Sequence, residues 1–579
     1  MPHLVLLVAA QVTAMLGSDA PPRPPADSVH VVQIVERAQE SFERFRREHA
    51  PRREDSDFGV CQRTTGRICN FDDETLLVLR LGEPAATRTA RDSLISVLSA
   101  AAEQVPGDEW VVGERVIYLT EAGRQSDAIM AATACRAQTW WCAALSGYAY
   151  HSAGLELPAA AAFDTALAAM PEATRCRWND ISFLLDDHTS GRYRHTACGD
   201  RAALEQRFWW LADPFYSVPA NERRNEHYSR LVISRLQQRG FSAWGIPWGD
   251  DLQEMTVRYG WPIKWARSRS HHLMSNPMSN IAGLQPEPAY LFEPSRQAMY
   301  DPLTARADDW SLRSPEGRAR YADPHARSVL AMRAETAVFR RGDSAIVVAL
   351  YDVSRDSALG ATRLDAALIL GRSEHDVAVM DTVHAAPVAG ALAARVPWEP
   401  TLASVEILAE DGSRAARSRF AVHPPSTTGV TVSDLLFYDP EGNTPTSLDE
   451  ALPRAMPVPR REPGTKLGLY WETYGLGSLG DSAEVEVSVK KLGGGLFKAL
   501  FGGKGKTPTA LRWIERAQPH DDMAPRGVTL DLAGLSPGRY RIEVHVSHAG
   551  SASATTWREL EIRPRDPDEE QLSRGDAHR

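Results

Sequence analysis

The spacing of apolar residues changes along this chain, and that change constrains the fold more than any other feature. Before Glu335 apolar residues recur at helical spacing, as in Tyr228, Leu231, Val232 and Leu236. After it they form short runs separated by Gly, Asp and Pro, which is typical of strands. The chain has 579 residues, whereas single domains usually have about 100–200. The sequence therefore predicts a multidomain α + β protein with helices first and sheets second.

Composition shifts and Pro-rich linkers divide the chain further. We expect an N-terminal α-helical repeat region, a small α/β module and two C-terminal all-β sandwiches. The predicted boundaries are 1–20 for a signal peptide, 26–105 for a helical N-terminal region, 106–200 for helical repeats, 201–330 for the module with an irregular wrapping segment, 335–424 and 428–564 for the sandwiches, and 565–579 for a disordered tail. The net charge of −10 gives no basic footprint, so nucleic acid is not an expected partner.

An apolar run from Leu4 to Leu16 opens the chain. It is too short to span a bilayer, which needs about 20 apolar residues, and it has the length of the apolar region of a signal peptide. We therefore predict export to the periplasm or the extracellular space. A buried N-terminal helix is the alternative.

All six cysteines precede Asp200 and fall into three close pairs. Six cysteines allow about 15 connectivities, but only one of these is local throughout. It predicts the disulfides Cys61–Cys69, Cys135–Cys142 and Cys176–Cys198. Six reduced thiols and a metal site are the alternatives. Because no CxxC occurs and the nearby histidines are not at zinc-ligand spacing, we expect no metal, and we expect no other cofactor.

The segment from Trp140 to Pro171 carries a helical-repeat pattern. Counted from Trp140 as position 1, Gly147 falls at position 8, Phe163 at position 24 and Pro171 at position 32. This order resembles a tetratricopeptide repeat, in which small residues let two helices approach and an aromatic side chain fills the groove. Residues 110–136 then form the preceding repeat. Such repeats imply a concave protein-binding surface; the alternative is a scaffold that only supports the next module.

Aromatic and turn residues cluster between Phe208 and Pro262. Their order resembles a diverged GWxTD domain, a module of bacterial, often exported proteins to which no general activity is attached. The matching motif residues are Trp209, Asp213, Asn221, Glu222, Trp248, Asp251, Tyr259, Gly260 and Pro262. Pro247 and Asp250 stand where the defining pentapeptide has Gly and Thr, so we expect none of the chemistry that those two residues would carry.

Within this module the pattern predicts a helix that begins after Asn221 as its N-cap and ends at Gly240. A short strand is predicted over residues 255–259. We expect Trp248 and Trp261 to lie around one small core.

Two adjacent carboxylates, Asp250 and Asp251, are expected at the turn between that helix and strand. One of them could act as a base or a metal ligand. We favour a structural interpretation, because Asp at such turns usually accepts backbone N–H bonds. The following His271 and His272 are expected at the surface. Since no GxSxG or HExxH sequence occurs, we assign no catalytic residue.

The strand-rich half follows a Pro-rich segment, 266–330, which we expect to wrap and to pack through its isolated aromatic residues. Within the second predicted sandwich, residues 535–542 (LSPGRYRI) resemble the start of a strand in exported immunoglobulin-like domains. In those folds such modules usually space, support or bind.

The loop 493–507 contains Gly-Lys-Thr but lacks the earlier Gly and the following helix of a phosphate-binding loop. Its residues Phe497, Lys498 and Phe501 are suited to contact with a membrane surface or a partner. A hairpin whose Phe side chains fold back on the sheet is the interpretation we favour, since one short turn buries little apolar area.

Together these patterns predict an exported protein–protein interaction or scaffold protein of the bacterial envelope. It would bind a protein partner through its helical repeats and β-sandwich modules and carry out no defined reaction. The alternative function is a hydrolase-like enzyme with its site at Asp250 and Asp251.

Overall fold

The structure is a computed structural model that describes residues 26–51, 63–70, 82–267, 281–286, 288–314, 317–376, 379–425, 429–476, 482–492, 509–516, 523–548 and 553–564. Several predictions lie outside the described residues. These are the signal peptide, the side chains of Cys61 and Cys69, the pair His271 and His272, the loop 493–507 with Phe497, Lys498 and Phe501, and the tail 565–579.

Helices form most of the described residues up to Tyr300, which confirms the predicted helical first half. Their bounds are α1 Ala26–His49, α2 Ala85–Gln104, α3 Glu109–Glu121, α4 Gln125–Thr133, α5 Thr139–Ser152, α6 Glu156–Ala169, α7 Glu172–Trp178, α8 Asp187–His195, α9 Ala202–Ala212, α10 Glu222–Gln237, α11 Asp250–Tyr259 and α12 Arg296–Tyr300. Two short helices lie among the later strands, α13 Ser357–Gly360 and α14 Leu448–Ala451.

Two helix hairpins, α3 with α4 and α5 with α6, occupy the windows of the predicted repeats. Gly147 of α5 lies against Phe163 of α6, and a Cβ on Gly147 would stand 2.8 Å from the Phe163 ring. Gly113 of α3 meets Leu236 of α10 in the same way, at 2.5 Å. The two glycines therefore let these helices approach, and α10 packs across the hairpins.

Strands form most of the described residues from Val329 onward, as predicted. Their bounds are β1 Arg63–Thr65, β2 Ile68–Asn70, β3 Lys264–Arg267, β4 Ile281–Leu284, β5 Val329–Ala331, β6 Ala334–Arg341, β7 Ser344–Asp352, β8 Leu364–Gly371, β9 Val379–Ala386, β10 Ala389–Pro397, β11 Thr401–Ala409, β12 Ala415–Val422, β13 Thr431–Val432, β14 Leu436–Tyr438, β15 Arg460–Arg461, β16 Lys466–Tyr474, β17 Ser482–Lys491, β18 Thr509–Arg516, β19 Met523–Asp531, β20 Gly538–His548 and β21 Ala554–Ile562.

The later strands build two pairs of sheets. In the first pair, the sheet β10-β7-β6 and the sheet β5-β12-β11-β8-β9 share a core that includes Val347, Leu368 and Ile407. In the second pair, β13-β16-β14 with β19 beside β16 and the sheet β15-β21-β20-β17-β18 share a core around Trp471. Among the described strands, β5 pairs with β12 and β15 with β21 in parallel, and the other pairings are antiparallel.

The predicted strand over residues 255–259 is wrong, because these residues belong to helix α11. Leu252, Met255, Thr256 and Tyr259 are all buried on one face of it. Polar and apolar residues alternate over residues 255–259, which suggested a strand. The apolar face of the helix becomes visible only when the pattern is followed from Leu252. Gly260 ends the helix with a φ of 91°, a conformation that favours glycine.

The wrapping segment packs through its aromatic residues, as expected. Tyr290, Phe292, Trp310 and Tyr321 are buried, and three of them share a core with Phe215. Tyr300 departs from this pattern, since it is 41% exposed. The segment joins the central module to the first sheets.

Two of the three predicted disulfides are present, Cys135–Cys142 and Cys176–Cys198, with Cα–Cα distances of 5.6 and 5.8 Å. Disulfides persist in oxidising compartments, so the two bonds indicate an exported protein. Among the helices of the described ranges, none combines the length and the apolar character needed to cross a bilayer.

Substitution of Gly147 tests the close approach of α5 and α6. Gly147→Ala should lower the free energy of unfolding by about 1–3 kcal/mol, because the new methyl group overlaps Phe163. Gly191→Ala in α8 is the control, since a Cβ there meets nothing within 4 Å and Ala favours a helix by about 1 kcal/mol. Urea unfolding of both variants measures the difference, and equal stabilities would contradict the packing.

Peptide mapping tests the disulfides. A non-reduced digest should release one peptide pair joined through Cys135 and Cys142 and another joined through Cys176 and Cys198. Mass spectrometry after alkylation without reductant provides the readout, and labelling of these four thiols would contradict both bonds and the oxidising location.

Candidate functional site

A cavity of about 340 Å³ lies where the first helices meet the central module. Its wall draws on α1, α2, α3, α5 and α10 and is completed by the turn from Trp261 to Trp265 and by Pro286. Ligand sites commonly have volumes of about 300–1,000 Å³ and lie at such junctions. We therefore take this cavity as the candidate functional site.

One side of the cavity is formed by two arginines held by carboxylates. Arg46 lies 2.5 Å from Glu121. Arg91 binds Glu83 with both terminal nitrogens, at 2.9 and 2.7 Å. Both arginine side chains are largely buried. The two ion pairs hold both guanidinium groups in place, because a buried charge that loses its partner destabilises the fold.

On the other side, His151 of α5 lies between two carboxylates. Its Nδ1 is 2.9 Å from Glu156 and its Nε2 is 2.9 Å from Glu226. Burial opposes the charge on the ring, but the hydrogen bonds to Glu156 and Glu226 outweigh it and raise the pKa of His151 to about 9. The imidazole is therefore a cation at neutral pH.

Glu226 also accepts a hydrogen bond from Arg230 Nε at 2.5 Å. Burial alone would raise the pKa of the Glu226 carboxyl, yet Arg230 and His151 lower it to about 2. Arg230 donates in turn to the carbonyls of Val257, Arg258 and Arg320. This chain of contacts ties α5, α10 and the end of α11 together behind the cavity.

The remaining wall combines aromatic rings with two small hydroxyl-bearing residues. Trp261 and Trp265 line the cavity and pack edge to face with Trp244, at centroid distances of 5.3 and 4.9 Å. Thr87 and Ser229 also belong to the wall, but their hydroxyl oxygens are enclosed and have almost no accessible surface. Both are buried, and neither has a hydrogen-bond partner within the part of the chain that the structure describes.

The motif residues divide between several places. Pro262 lies in the cavity wall, and Trp248 packs with Trp261 and Tyr259 on one small core. Asn221 caps α10, as predicted, since its Oδ1 accepts from the backbone N–H of Arg224 at 2.9 Å. Its side-chain amide also donates to the carbonyl of Trp209 at 2.6 Å. The structure thus brings only Pro262 of these residues to the cavity.

Asp213 lies at a buried joint between α9 and the first sheets. Arg417 and Arg419 of β12 donate to backbone carbonyls at the end of α9, among them Leu211 at 2.9 Å and Pro214 at 2.7 Å. Burial raises the pKa of the Asp213 carboxyl well above its usual range, against the effect of Arg419. We call this set of contacts the α9–β12 joint.

Glu222 and Glu406 are two further carboxylates near this joint. Glu406 of β11 accepts from the backbone N–H groups of Tyr216 and Ser217 at 3.0 and 2.9 Å. Glu222 is fully buried and lies 3.5 Å from His325. Burial and the nearby Asp213 raise the pKa of the Glu222 carboxyl well above its usual range.

Asp250 and Asp251 lie in the first turn of α11 and do not line the cavity beside Trp261. Asp251 binds Arg67 through both carboxylate oxygens, at 2.6 and 2.7 Å, and accepts the Arg67 backbone N–H at 3.0 Å. These hydrogen bonds lower the pKa of the Asp251 carboxyl to about 2. The geometry favours a structural role, in which Asp251 holds the β1–β2 hairpin against α11.

Sequence patterns pointed to Trp261 and Pro262 of the cavity wall, but not to its charged residues. Glu226 and Arg230 stand four apart in a predicted helix, so their pairing was open to prediction. Contacts such as His151 with Glu226 join residues 75 positions apart, and no local pattern reports them.

Comparison with known proteins does not assign the chain to a family. No family model and no curated protein matches the chain. The solved structures that overlap it include red sea bream transglutaminase, with 9% identity, a TM-score of 0.13, and 40% of this chain and 32% of that chain covered.

Two other overlaps are equally weak. A β-glucuronidase of Bacteroides uniformis has 8% identity and a TM-score of 0.16, with 38% of this chain and 26% of that chain covered. A tetra-tandem repeat from the extending region of a large adhesion protein has 11% identity and a TM-score of 0.13, with 40% and 49% covered. This chain thus spans less than half of each solved chain, and the scores are too low to support a fold or a function.

The ion pairs of His151 predict a pH-dependent stability. The pKa of His151 rises from 6.5 to about 9 on folding, so its stabilising effect is complete below pH 6.5 and is lost as the pH rises through 9. His151→Gln should cost about 1–3 kcal/mol at pH 6, since one pKa unit corresponds to about 1.4 kcal/mol, and much less at pH 9.5.

Thermal unfolding of wild type and variant at both pH values measures this effect. His195→Gln is the control, because His195 is exposed on α8, and it should change the melting temperature little. A cost for His151→Gln that is the same at pH 6 and pH 9.5 would contradict the charged imidazole.

Proposed function

We propose that this protein is an exported binding or scaffold protein of the bacterial envelope, with no reaction of its own, and that the cavity beside Trp261 is its ligand site. The observation that carries the proposal is the state of the charged groups in the wall. Arg46, Arg91, His151 and Arg230 all have carboxylate partners. A wall built in this way positions a ligand without offering it a free acid or base.

The pKa values support binding over acid–base catalysis. A general acid or base works best when its pKa lies near the working pH. Glu226, with a pKa of about 2, and His151, with a pKa of about 9, keep fixed charges at neutral pH. Asp251 is held by Arg67, so the alternative of a hydrolase site at Asp250 and Asp251 has less support.

The other parts of the chain would then present or position the cavity. In this proposal the α3–α6 hairpins are tetratricopeptide-like repeats that bind a protein partner, the segment 208–262 is a diverged GWxTD-like module, and the two sheet pairs are immunoglobulin-like sandwiches that act as spacers. The two disulfides support a periplasmic or extracellular location.

Ligand screening with a blocked cavity tests the proposal. We expect at least one member of a panel of sugars, amino acids, dipeptides and nucleotides to raise the melting temperature of the wild type, with mass spectrometry recovering it unchanged. Ser229→Leu should abolish this shift, because Ser229 lines the cavity and the larger side chain fills it.

Ser96→Leu is the matched control, since Ser96 is exposed on α2 outside the cavity wall, and it should keep the shift. Binding that survives Ser229→Leu would move the site elsewhere. Chemical conversion of the bound compound would overturn the non-enzymatic part of the proposal.

A further inference from the structure

We propose that the cavity beside Trp261 binds a small organic cation, that is, an amine or a guanidine on a compact apolar body. This inference rests on the proposed binding function and names its ligand class. The cavity volume of about 340 Å³ lies near the lower limit of ligand sites. It suits one small molecule or one side chain of a peptide and excludes a folded partner.

The carboxylates of the wall are more accessible than the cations that pair with them. Three glutamates that line the cavity keep 20–29% of their side-chain surface exposed, namely Glu83, Glu121 and Glu226. Their cationic partners keep only 3–10%, namely Arg46, Arg91, His151 and Arg230. The accessible member of each ion pair is therefore the carboxylate.

Glu121 has an oxygen left for a ligand. Its Oε2 lies 2.5 Å from Arg46 and 4.0 Å from Arg91, whereas its Oε1 has no hydrogen-bond partner among the described residues. That oxygen is not enclosed, in contrast to the Oε2 of Glu43, which has almost no accessible surface. Carboxylate oxygens accept hydrogen bonds from ammonium and guanidinium groups, and such charge-assisted bonds are strong.

The aromatic part of the wall fits the same ligand. Trp261 and Trp265 line the cavity, and Trp244 packs against both, at centroid distances of 5.3 and 4.9 Å. The face of an indole ring carries partial negative charge and attracts cations. Ile263 and Pro286 add apolar surface to the wall. An ammonium group on a short apolar body therefore finds partners for both of its parts.

An anion fits the wall less well. The Nε atoms of Arg46 and Arg91 have almost no accessible surface, and both terminal nitrogens of Arg91 bind Glu83. An anion would meet the carboxylates first and would have to break a buried ion pair, which is costly. Lys264 also lines the cavity, but it follows Ile263, which is 59% exposed, so it lies where the wall meets the solvent.

A neutral apolar ligand also fits less well. It would displace water from the accessible oxygens of Glu83, Glu121 and Glu226 without replacing the lost hydrogen bonds, and the burial of a charge without such bonds is costly. A cation replaces those hydrogen bonds with its own. The wall thus favours a cation over an anion or a hydrocarbon of the same size.

Titration of the full chain with probes of one shape and different charge tests the inference. We use 2-phenylethylamine, its alcohol analogue 2-phenylethanol and the acid 3-phenylpropanoate. N-acetyl-lysinamide and its neutral counterpart N-acetyl-norleucinamide present the same contrast as capped peptide side chains. Isothermal calorimetry at pH 7 gives the affinities.

We expect at least one of the two amines to bind at least tenfold more tightly than its neutral counterpart, and the acid to bind more weakly than both. Binding of phenylethylamine alone would assign the site to free amines, and binding of N-acetyl-lysinamide would assign it to a side chain carried by a peptide. A neutral or acidic probe that binds as tightly as its amine would overturn the inference.

Removal of one accessible carboxylate tests where the cation binds. Glu121→Gln should weaken the amine at least tenfold and leave the neutral probe unchanged. Arg46 keeps Glu43 and Arg91 keeps Glu83 in this variant, so we expect it to fold. Glu36→Gln is the matched control, because Glu36 pairs with Arg239 on the surface outside the cavity wall. Equal affinity of the two variants for the amine would contradict the assignment.

The outcomes distinguish the two proposals. If neither amine binds, and a neutral or acidic compound of the wider panel binds in a way that Ser229→Leu abolishes, the cation inference fails and the binding function stands. If no compound binds in a way that depends on the cavity, both proposals fail.

Discussion

The hydrogen bonds from two buried arginines to the end of α9 are the contact on which the arrangement of the protein depends. The last carbonyls of a helix have no partner within the helix, and they carry partial negative charge. Arg419 of β12 donates to the Leu211 carbonyl in the last turn of α9 and to the Asp213 carbonyl that follows it, and Arg417 donates to the carbonyl of Pro214. Arg419 also lies over the ring of Tyr216, 3.7 Å from its centre. The α9–β12 joint thereby fixes the first sheets against the helical half.

Helix α10 transmits this fixed geometry to the cavity. It begins with Asn221, whose side chain binds the carbonyl of Trp209 in α9, and one turn later it supplies Glu226 to His151. Ser229 and Arg230 follow on the same side. Helix α10 therefore connects the joint to the cavity, and on the way it buries the polar residues Arg223, Asn225 and His227 beside its apolar face.

Features set by neighbouring residues were predictable from the sequence, and features set by distant ones were not. The order of helices and strands, the cap at Asn221 and two local disulfides follow from spacing alone. The prediction of a strand over residues 255–259 was wrong because a window of five residues is too short to show the apolar face of a helix. The pairing of Arg67 with Asp251 spans 184 residues, so the periodicity that finds a helix carries no information about it, and the candidate cavity stayed hidden for the same reason.

The α9–β12 joint also sets an order of events in synthesis and folding. Leu211 and Arg419 are 208 positions apart, so the end of α9 leaves the ribosome long before its partner strand exists. Contacts between residues so far apart form late, since closing a long loop costs entropy before the contact is made. The carbonyl of Leu211 also accepts from the indole N–H of Trp310, 99 positions further on, so the end of α9 gains its partners in two stages, the wrapping segment first and β12 last.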